Sequence, residues 1–397
     1  MKKLVSVLLC IIIAMTLVIT ASAKDEEVTL NVYNWGEYID QNIIGLFEEK
    51  YPNIKVNYTT YDSNEAMYSK IVSGAASYDI VIPSEYMVSK LINEDMLAEL
   101  DYSNIPNYKY VGEAYKNQSH DPENKYSVPY FWGTVVVIYN SEFVDAADVA
   151  DESLDLLWNE KYAGKILMFD NPRDSFCLAL LKAGYSMNSE NSAEWEEAAA
   201  LLSEQKNIVQ AYVMDAIFDK MEAGEAWIAP YYAGDALIIQ ENNPQIKFYI
   251  PKEGTNMFID AMCVLKSSEH KKEAELFINF MCEPEIAAMN SETVGYATAN
   301  TEAQKILDPE ITGNPLIYPD SEFLIENTDV FRSLSQKTQM LQSSLWTSLK
   351  IESSESGSES SSTTWIDAFC IAVLAVAAVS AVYFGIRNNK RKKLWTS

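Results

Sequence analysis

Six aromatic residues and three acids recur in short polar breaks along this chain: Trp35, Tyr38, Tyr86, Tyr232, Phe258 and Tyr296 beside Glu37, Asp174 and Asp260. Rings and carboxylates together suit an organic cation. The π faces attract its charge by about 0.5–2 kcal/mol per ring, and a carboxylate fixes each ammonium through charge-assisted hydrogen bonds. A linear polyamine meets both conditions, since its methylenes want apolar walls and its nitrogens want acids. Taken singly, each ring reads better as a core aromatic and Ser84 as a helix cap, while the loop carrying Glu37 reads equally well as an aromatic turn with a surface acid. Catalysis is poorly provided for. The chain's histidines are His120 and His270, both in polar stretches; it has no Gly-x-Ser-x-Gly, no phosphate-binding glycine loop and no zinc or EF-hand spacing. Acid pairs such as Asp170 and Asp174 arise by chance in an acidic protein. The expectation is a binding protein that is not an enzyme and holds no metal or cofactor.

The breaks follow apolar segments of strand character. Val28, Leu30 and Val32 alternate with polar neighbours, and the pattern stops at Asn34 and Gly36, so a strand is predicted to deliver Trp35, Glu37 and Tyr38 into a loop. Asp40 then caps a predicted helix through Ile43, Ile44 and Phe47. Open α/β sheets place their ligands at such strand ends. A second strand is predicted over Ile54–Tyr61 and a helix over Glu65–Val72. The apolar run from Tyr78 ends at Pro83-Ser84-Glu85-Tyr86, ahead of a helix carrying Met87, Leu91 and Ile92. Tyr126–Gly133 leads into Thr134–Asn140, read as a long strand crossing between two lobes. Short strands at Ile166–Phe169 and Ala226–Pro230 end at Asp170–Asp174 and Tyr231–Asp235, all predicted as loop residues. Phe248–Pro251 is another strand, and Met257–Val264 returns to the first lobe. Lys271–Met281 reads as an amphipathic helix, Gly295-Tyr296 as a loop, and Ile306–Leu349 as mostly helical.

The 397 residues carry 48% hydrophobic side chains and a formal net charge of −27, the composition of a globular protein with room for two or three domains. The charge is unevenly spread. Seven basic residues flank the terminal apolar runs: Lys2, Lys3, Arg387, Lys390, Arg391, Lys392 and Lys393. Taking these and Asp367 from the chain's 30 basic and 57 acidic residues leaves 23 and 56, a net charge of −33 for the body. Such a body repels phosphate backbones and draws in cations, which argues against nucleic acid as a partner. Residues 1–23 read as a secretory signal, with Lys2 and Lys3, an apolar run and Ala21-Ser22-Ala23 as its cleavage site. Cys10 follows Leu9 rather than a small residue, so no lipid anchor is read there. Residues 351–364 form a Ser/Glu-rich linker. Residues 365–386 are long and apolar enough to span a bilayer, with the basic tail 387–397 on the cytoplasmic side. Cys177, Cys263 and Cys282 remain in the exported body, where buried thiols are favoured over one bridge.

Several ordered motifs resemble the spermidine/putrescine-binding proteins of bacterial ABC importers. They are Tyr33-Asn34-Trp35-Gly36-Glu37-Tyr38, Pro83-Ser84-Glu85-Tyr86, Tyr126-Ser127-Val128-Pro129-Tyr130-Phe131-Trp132-Gly133, Pro251-Lys252-Glu253-Gly254 and Glu292-Thr293-Val294-Gly295-Tyr296. The resemblance runs from about Thr29 to about Asp320. It implies an α/β, two-lobed, hinged periplasmic-binding-protein fold of type II, here with a signal peptide and one C-terminal transmembrane helix. The first lobe would comprise 24–136 and 262–303, the second 137–261 and 304–350. By the same resemblance Trp35, Tyr38, Tyr86, Tyr232, Phe258 and Tyr296 form an aromatic box, and Asp260 takes an ammonium at the buried end. Glu37 and Ser84 also line the site, while Asn171 and Asp174 lie at the other end. Asn171 stands where the family can place an acid, Tyr232 and Phe258 stand where tryptophans are common, and Met214 where a polar group occurs. Those departures weaken the case for a triamine and leave putrescine and spermidine both open. The implied function is an extracytoplasmic polyamine receptor, anchored in the cell membrane, that feeds an ABC permease driven by a cytoplasmic ATPase. A polyamine sensor acting on a membrane partner and a binding protein for another small solute are the alternatives.

Overall fold

The computed structural model describes residues 27–355. The signal segment 1–23, the apolar segment 365–386, the basic tail and most of the linker lie outside them. Among the described residues no helix is long and apolar enough to cross a membrane. The chain divides into two compact units, one running to Gln342 and one beginning at Ser343. In the second, the described residues continue one helix, Gln336–Glu355, so the predicted linker begins in helical conformation.

The first unit is built on strands β1 (Val28–Trp35), β2 (Ile54–Tyr61), β3 (Ile80–Val81), β4 (Ser127–Asn140), β5 (Ile166–Phe169), β6 (Val209–Val213), β7 (Ile228–Tyr232), β8 (Ile246–Tyr249), β9 (Thr255–Val264), β10 (Ala297–Thr298) and β11 (Thr328–Asp329). They join in the order β2-β1-β3-β9-β4-β7-β5-β6, with β8 and β10 on β4 and β11 on β9. β1 runs parallel to β2 and β3, and β5 parallel to β6 and β7, whereas β4 and β9 run antiparallel to each other between the two parallel groups. Along β4 the partners change: Ser127–Thr134 pair with β9, while Val135–Asn140 pair with β7 and β8.

Alternation along β1 explains the layers. Leu30 and Val32 are fully buried against Ile43 and Phe47 of the helix Gln41–Lys50 and Phe277 and Ile278 of Lys271–Met281. Tyr33, one step out of phase, packs on the other side with Tyr61, Met67, Met87 and Leu91. Asp40 accepts from the Asn42 N–H at 2.9 Å, as the capping pattern required. Cys177, Cys263 and Cys282 are buried free thiols.

Four local expectations need correction. Tyr126–Gly133 is mostly strand rather than lead-in: β4 begins at Ser127, and a shift of register between Pro129 and Trp132 accommodates the proline, which has no N–H to give. Tyr231 and Tyr232 end β7 and a helix starts at Ala233, with no loop between. Pro172, Arg173 and Asp174 open the helix Pro172–Lys182 rather than lying in a loop. The stretch after Ile306 holds helices Pro309–Thr312 and Ser321–Asn327 and strand β11 before Gln336–Glu355, because Asp308-Pro309 and Asp320 restart the helix with new caps.

Candidate binding site

The eleven residues singled out in the sequence line one cavity, with about 670 Å³ of unfilled space including its mouth. Trp35, Glu37 and Tyr38 reach it from the end of β1, Ser84 and Tyr86 from the N-cap and first turn of the helix Glu85–Asn93 after β3, and Asn171 and Asp174 from the N-cap and first turn of the helix Pro172–Lys182 after β5. Tyr232 ends β7. Phe258 and Asp260 lie within β9 rather than at a strand end or in a loop, so the site's floor is a continuous strand. Gly133 of β4 makes room for the Phe258 ring: a Cβ there would lie 2.9 Å from it.

Three phenols hold three carboxylates. The Tyr38 hydroxyl donates to Asp260 Oδ2 at 2.6 Å, Tyr232 to Asp174 Oδ2 at 2.9 Å, and Tyr296 to Asp235 Oδ2 at 2.7 Å. Asp174, Asp235 and Asp260 are only 5%, 6% and 4% exposed, so solvent hardly screens them. Burial pushes the Asp174 carboxyl up to about 7 and that of Asp260 up to about 6, with the neighbouring hydroxyls pulling the other way. Asp235 is raised well above the ordinary range by the same cause. The partner phenols are raised well above theirs, by burial first and by the adjoining carboxylates second. Asp260 Oδ1 has no hydrogen-bond partner.

The rings are fixed as walls. Trp35 spends its indole N–H on the Ile82 carbonyl at 2.9 Å, which leaves its π face as the functional part. Tyr232 and Phe258 meet edge to face at 5.4 Å, and Tyr38 and Tyr296 at 4.8 Å. Tyr86 donates to Glu65 at 3.0 Å and accepts from Asn64. Ser84 occupies a helix N-cap position without capping; its hydroxyl accepts from Asn64 Nδ2 at 3.2 Å. Asn171 is a cap, accepting from the Arg173 N–H at 3.0 Å, so its side-chain oxygen is partly committed. Glu37 lies exposed at the mouth.

Behind the cavity Glu85 is buried, accepting from the Ile259 and Phe331 N–H groups at 3.1 Å each. Burial pushes its carboxyl up to about 8. Glu85 thereby ties β9 to the segment carrying Phe331, a further ring in the lining. Arg173 is buried beside this group, its guanidinium 4.5 Å from the Phe331 ring centre.

Sequence reasoning missed Asp215, Tyr231, Asp235, Asn256 and Phe331 as lining residues. Two were readable. Asp235 falls on the first turn of the helix that Tyr232 precedes, and Asn256 is the period-two partner of Phe258 and Asp260. Among the described residues no group of acids, histidines or cysteines could hold a metal ion.

Parallel strand groups joined by two antiparallel strands, with their ends gathered on an acidic, aromatic cavity, define a periplasmic-type solute-binding protein. The chain belongs to the bacterial extracellular solute-binding protein family, whose model matches residues 76–327. It is thus a binding protein and not an enzyme. A second model, described as a hypothetical lipoprotein, matches residues 1–121. The spermidine/putrescine-binding periplasmic protein of Escherichia coli is 34% identical over 310 residues, covering 78% of this chain and 88% of that protein. The putrescine-binding periplasmic protein SpuD of Pseudomonas aeruginosa is 31% identical over 366 residues, covering 88% and 99%. The substrate-binding protein PotD of a Streptococcus pneumoniae spermidine/putrescine ABC transporter shares the fold with a TM-score of 0.68 and 38% identity, over 82% of this chain and 99% of that one.

Proposed function

We propose that this chain binds a linear polyamine of the putrescine/spermidine class in the cavity between its two lobes and delivers it to an ABC permease. The observation that carries this is the set of three carboxylates, Asp174, Asp235 and Asp260, each almost wholly buried, each held by a phenol, in a cavity walled by Trp35, Tyr86 and Phe258. A neutral sugar would leave those acids desolvated and unpaired, which costs several kcal/mol per ion. Ammonium groups pair them, and the methylenes between lie on the rings. The relatives named above for spermidine and putrescine support the same reading. Trp35, Glu37, Tyr38, Ser84, Tyr86, Asn171, Asp174, Tyr232, Phe258, Asp260 and Tyr296 are the contacts we assign to the ligand.

Calorimetric titration of the full chain in detergent tests this. One-to-one binding of putrescine or spermidine, with no heat from a neutral sugar, is the expected outcome; no binding of any amine overturns the function.

We also infer that the receptor sits on the extracytoplasmic face, held by the apolar segment 365–386. A chain ending at residue 350 should then be released into the medium, whereas release by Cys10→Ser instead would mark a lipid anchor.

A further inference from the structure

Asn256, Phe258 and Asp260 occupy one face of β9, because side chains two apart on a strand point the same way, and all three line the cavity. Asn256 is 2% exposed, and its Oδ1 has no hydrogen-bond partner. Asp260 Oδ1 is in the same condition at the other end of the triplet. Two buried acceptors left open in a ligand cavity, with an aromatic ring between them, are costly unless a ligand donor meets each. Their spacing then measures the ligand.

The four residue steps from Asp260 to Asn256 cover about 13 Å of strand. A hydrogen bond of about 2.9 Å directed inward from each oxygen leaves room for donor nitrogens roughly 7 to 13 Å apart. With bonds near 1.5 Å and angles near 111°, an extended chain advances about 1.25 Å per bond. The five bonds between the nitrogens of putrescine therefore span about 6 Å, and the nine between the terminal nitrogens of spermidine about 11 Å. Spermidine lies well within that span, and putrescine falls short of it.

Resting on the polyamine reading above, we propose that Asn256 accepts from the ammonium at the far end of the ligand and that the Asp260–Asn256 span selects a triamine over a four-carbon diamine. Phe258 lies under the methylenes between, where it excludes water. An amide rather than an acid at this end suits a cavity already lined by Asp174, Asp235 and Asp260, since a further carboxylate would add like-charge repulsion. The specificity thus turns on a residue that carries no charge.

The test is titration of the full chain in detergent with spermidine and with diamines of three to ten methylenes, for wild type, Asn256→Leu and Asn256→Asp. We expect affinity to pass through a maximum at about seven to eight methylenes, with spermidine at least tenfold tighter than putrescine. Asn256→Leu should lower that ratio by tenfold or more, and Asn256→Asp should preserve it. Equal affinity for putrescine and spermidine in wild type, a steady rise with chain length in place of a maximum, or an Asn256→Leu loss shared equally by all amines would each overturn the assignment while leaving the receptor reading intact. Absence of binding by every amine would overturn both. Should Asn256→Leu fail to fold, the wild-type length profile still decides.

Discussion

A phenol donating to a buried carboxylate occurs three times in this cavity, and its consequence is a dependence on pH. The unliganded folded protein holds protons on Asp174 and Asp260 more tightly than the unfolded chain does, their carboxyls being pushed up to about 7 and about 6. Their contribution to stability is therefore complete below about pH 4 and is lost as pH rises through 6 and 7. Polyamine binding has the opposite sign, because ammonium groups need the ionised carboxylates. The melting temperature of the free protein should fall between pH 5 and 8 while the increase produced by spermidine grows, and near pH 6 binding should release protons, read as heats that differ between buffers. A flat affinity across this range would remove these acids from the ligand contacts. Substitution separates their parts further. Asp260→Asn should weaken binding by about 3–5 kcal/mol, the cost of a buried ammonium without its counter-charge, and Trp35→Ala by about 0.5–2 kcal/mol, the worth of one π face. Unchanged titration isotherms for Asp260→Asn would refute the assigned pose.

Elements explain both what could be read from the residues and what could not. Strands β2 and β5 and the helix Lys271–Met281 have the predicted bounds, because each is an uninterrupted period of one kind between strong stops. The site was legible where a strand ended in Gly, Pro or Asn beside aromatic residues, as at Trp35-Gly36 and Pro83-Ser84. It was not legible at Asp215 or Phe331, which reach the cavity through tertiary placement: Phe331 is held there by the carboxylate of Glu85, far off in sequence. Nor could periodicity foresee how closely the elements meet. Gly234, in the first turn of the helix after β7, faces Tyr296 so tightly that a Cβ would lie 2.3 Å from the ring, and that ring is buried and bonded to Asp235. Gly234→Ala must displace it, at about 1–3 kcal/mol by the usual cost of overpacking, and should weaken polyamine binding tenfold or more. Gly36→Ala looks worse, with a Cβ 1.9 Å from Asp215 Oδ2, yet Asp215 is an exposed side-chain end that can swing away. It should cost less than threefold, and calorimetry on the two variants orders them; the reverse order would mean that Asp215 is a fixed ligand contact.

At the scale of the whole molecule the excess of acid acts before any contact forms. A net charge of −27 on a chain whose cavity mouth carries Glu37 and Asp215 makes a field that concentrates cations and guides them inward. The field reaches only about a Debye length, roughly 10 Å at 0.1 M salt and 3 Å at 1 M. The deep carboxylates, by contrast, are shielded from salt by burial. Association and dissociation should therefore respond differently. In stopped flow, the rate of spermidine association should fall by tenfold or more between about 0.01 M and 1 M salt, while dissociation, governed by Asp174, Asp235 and Asp260 inside the cavity, changes little. Equal effects on both rates would mean that the acids that matter are exposed in the complex, and the buried carboxylates would then not be what holds the ligand.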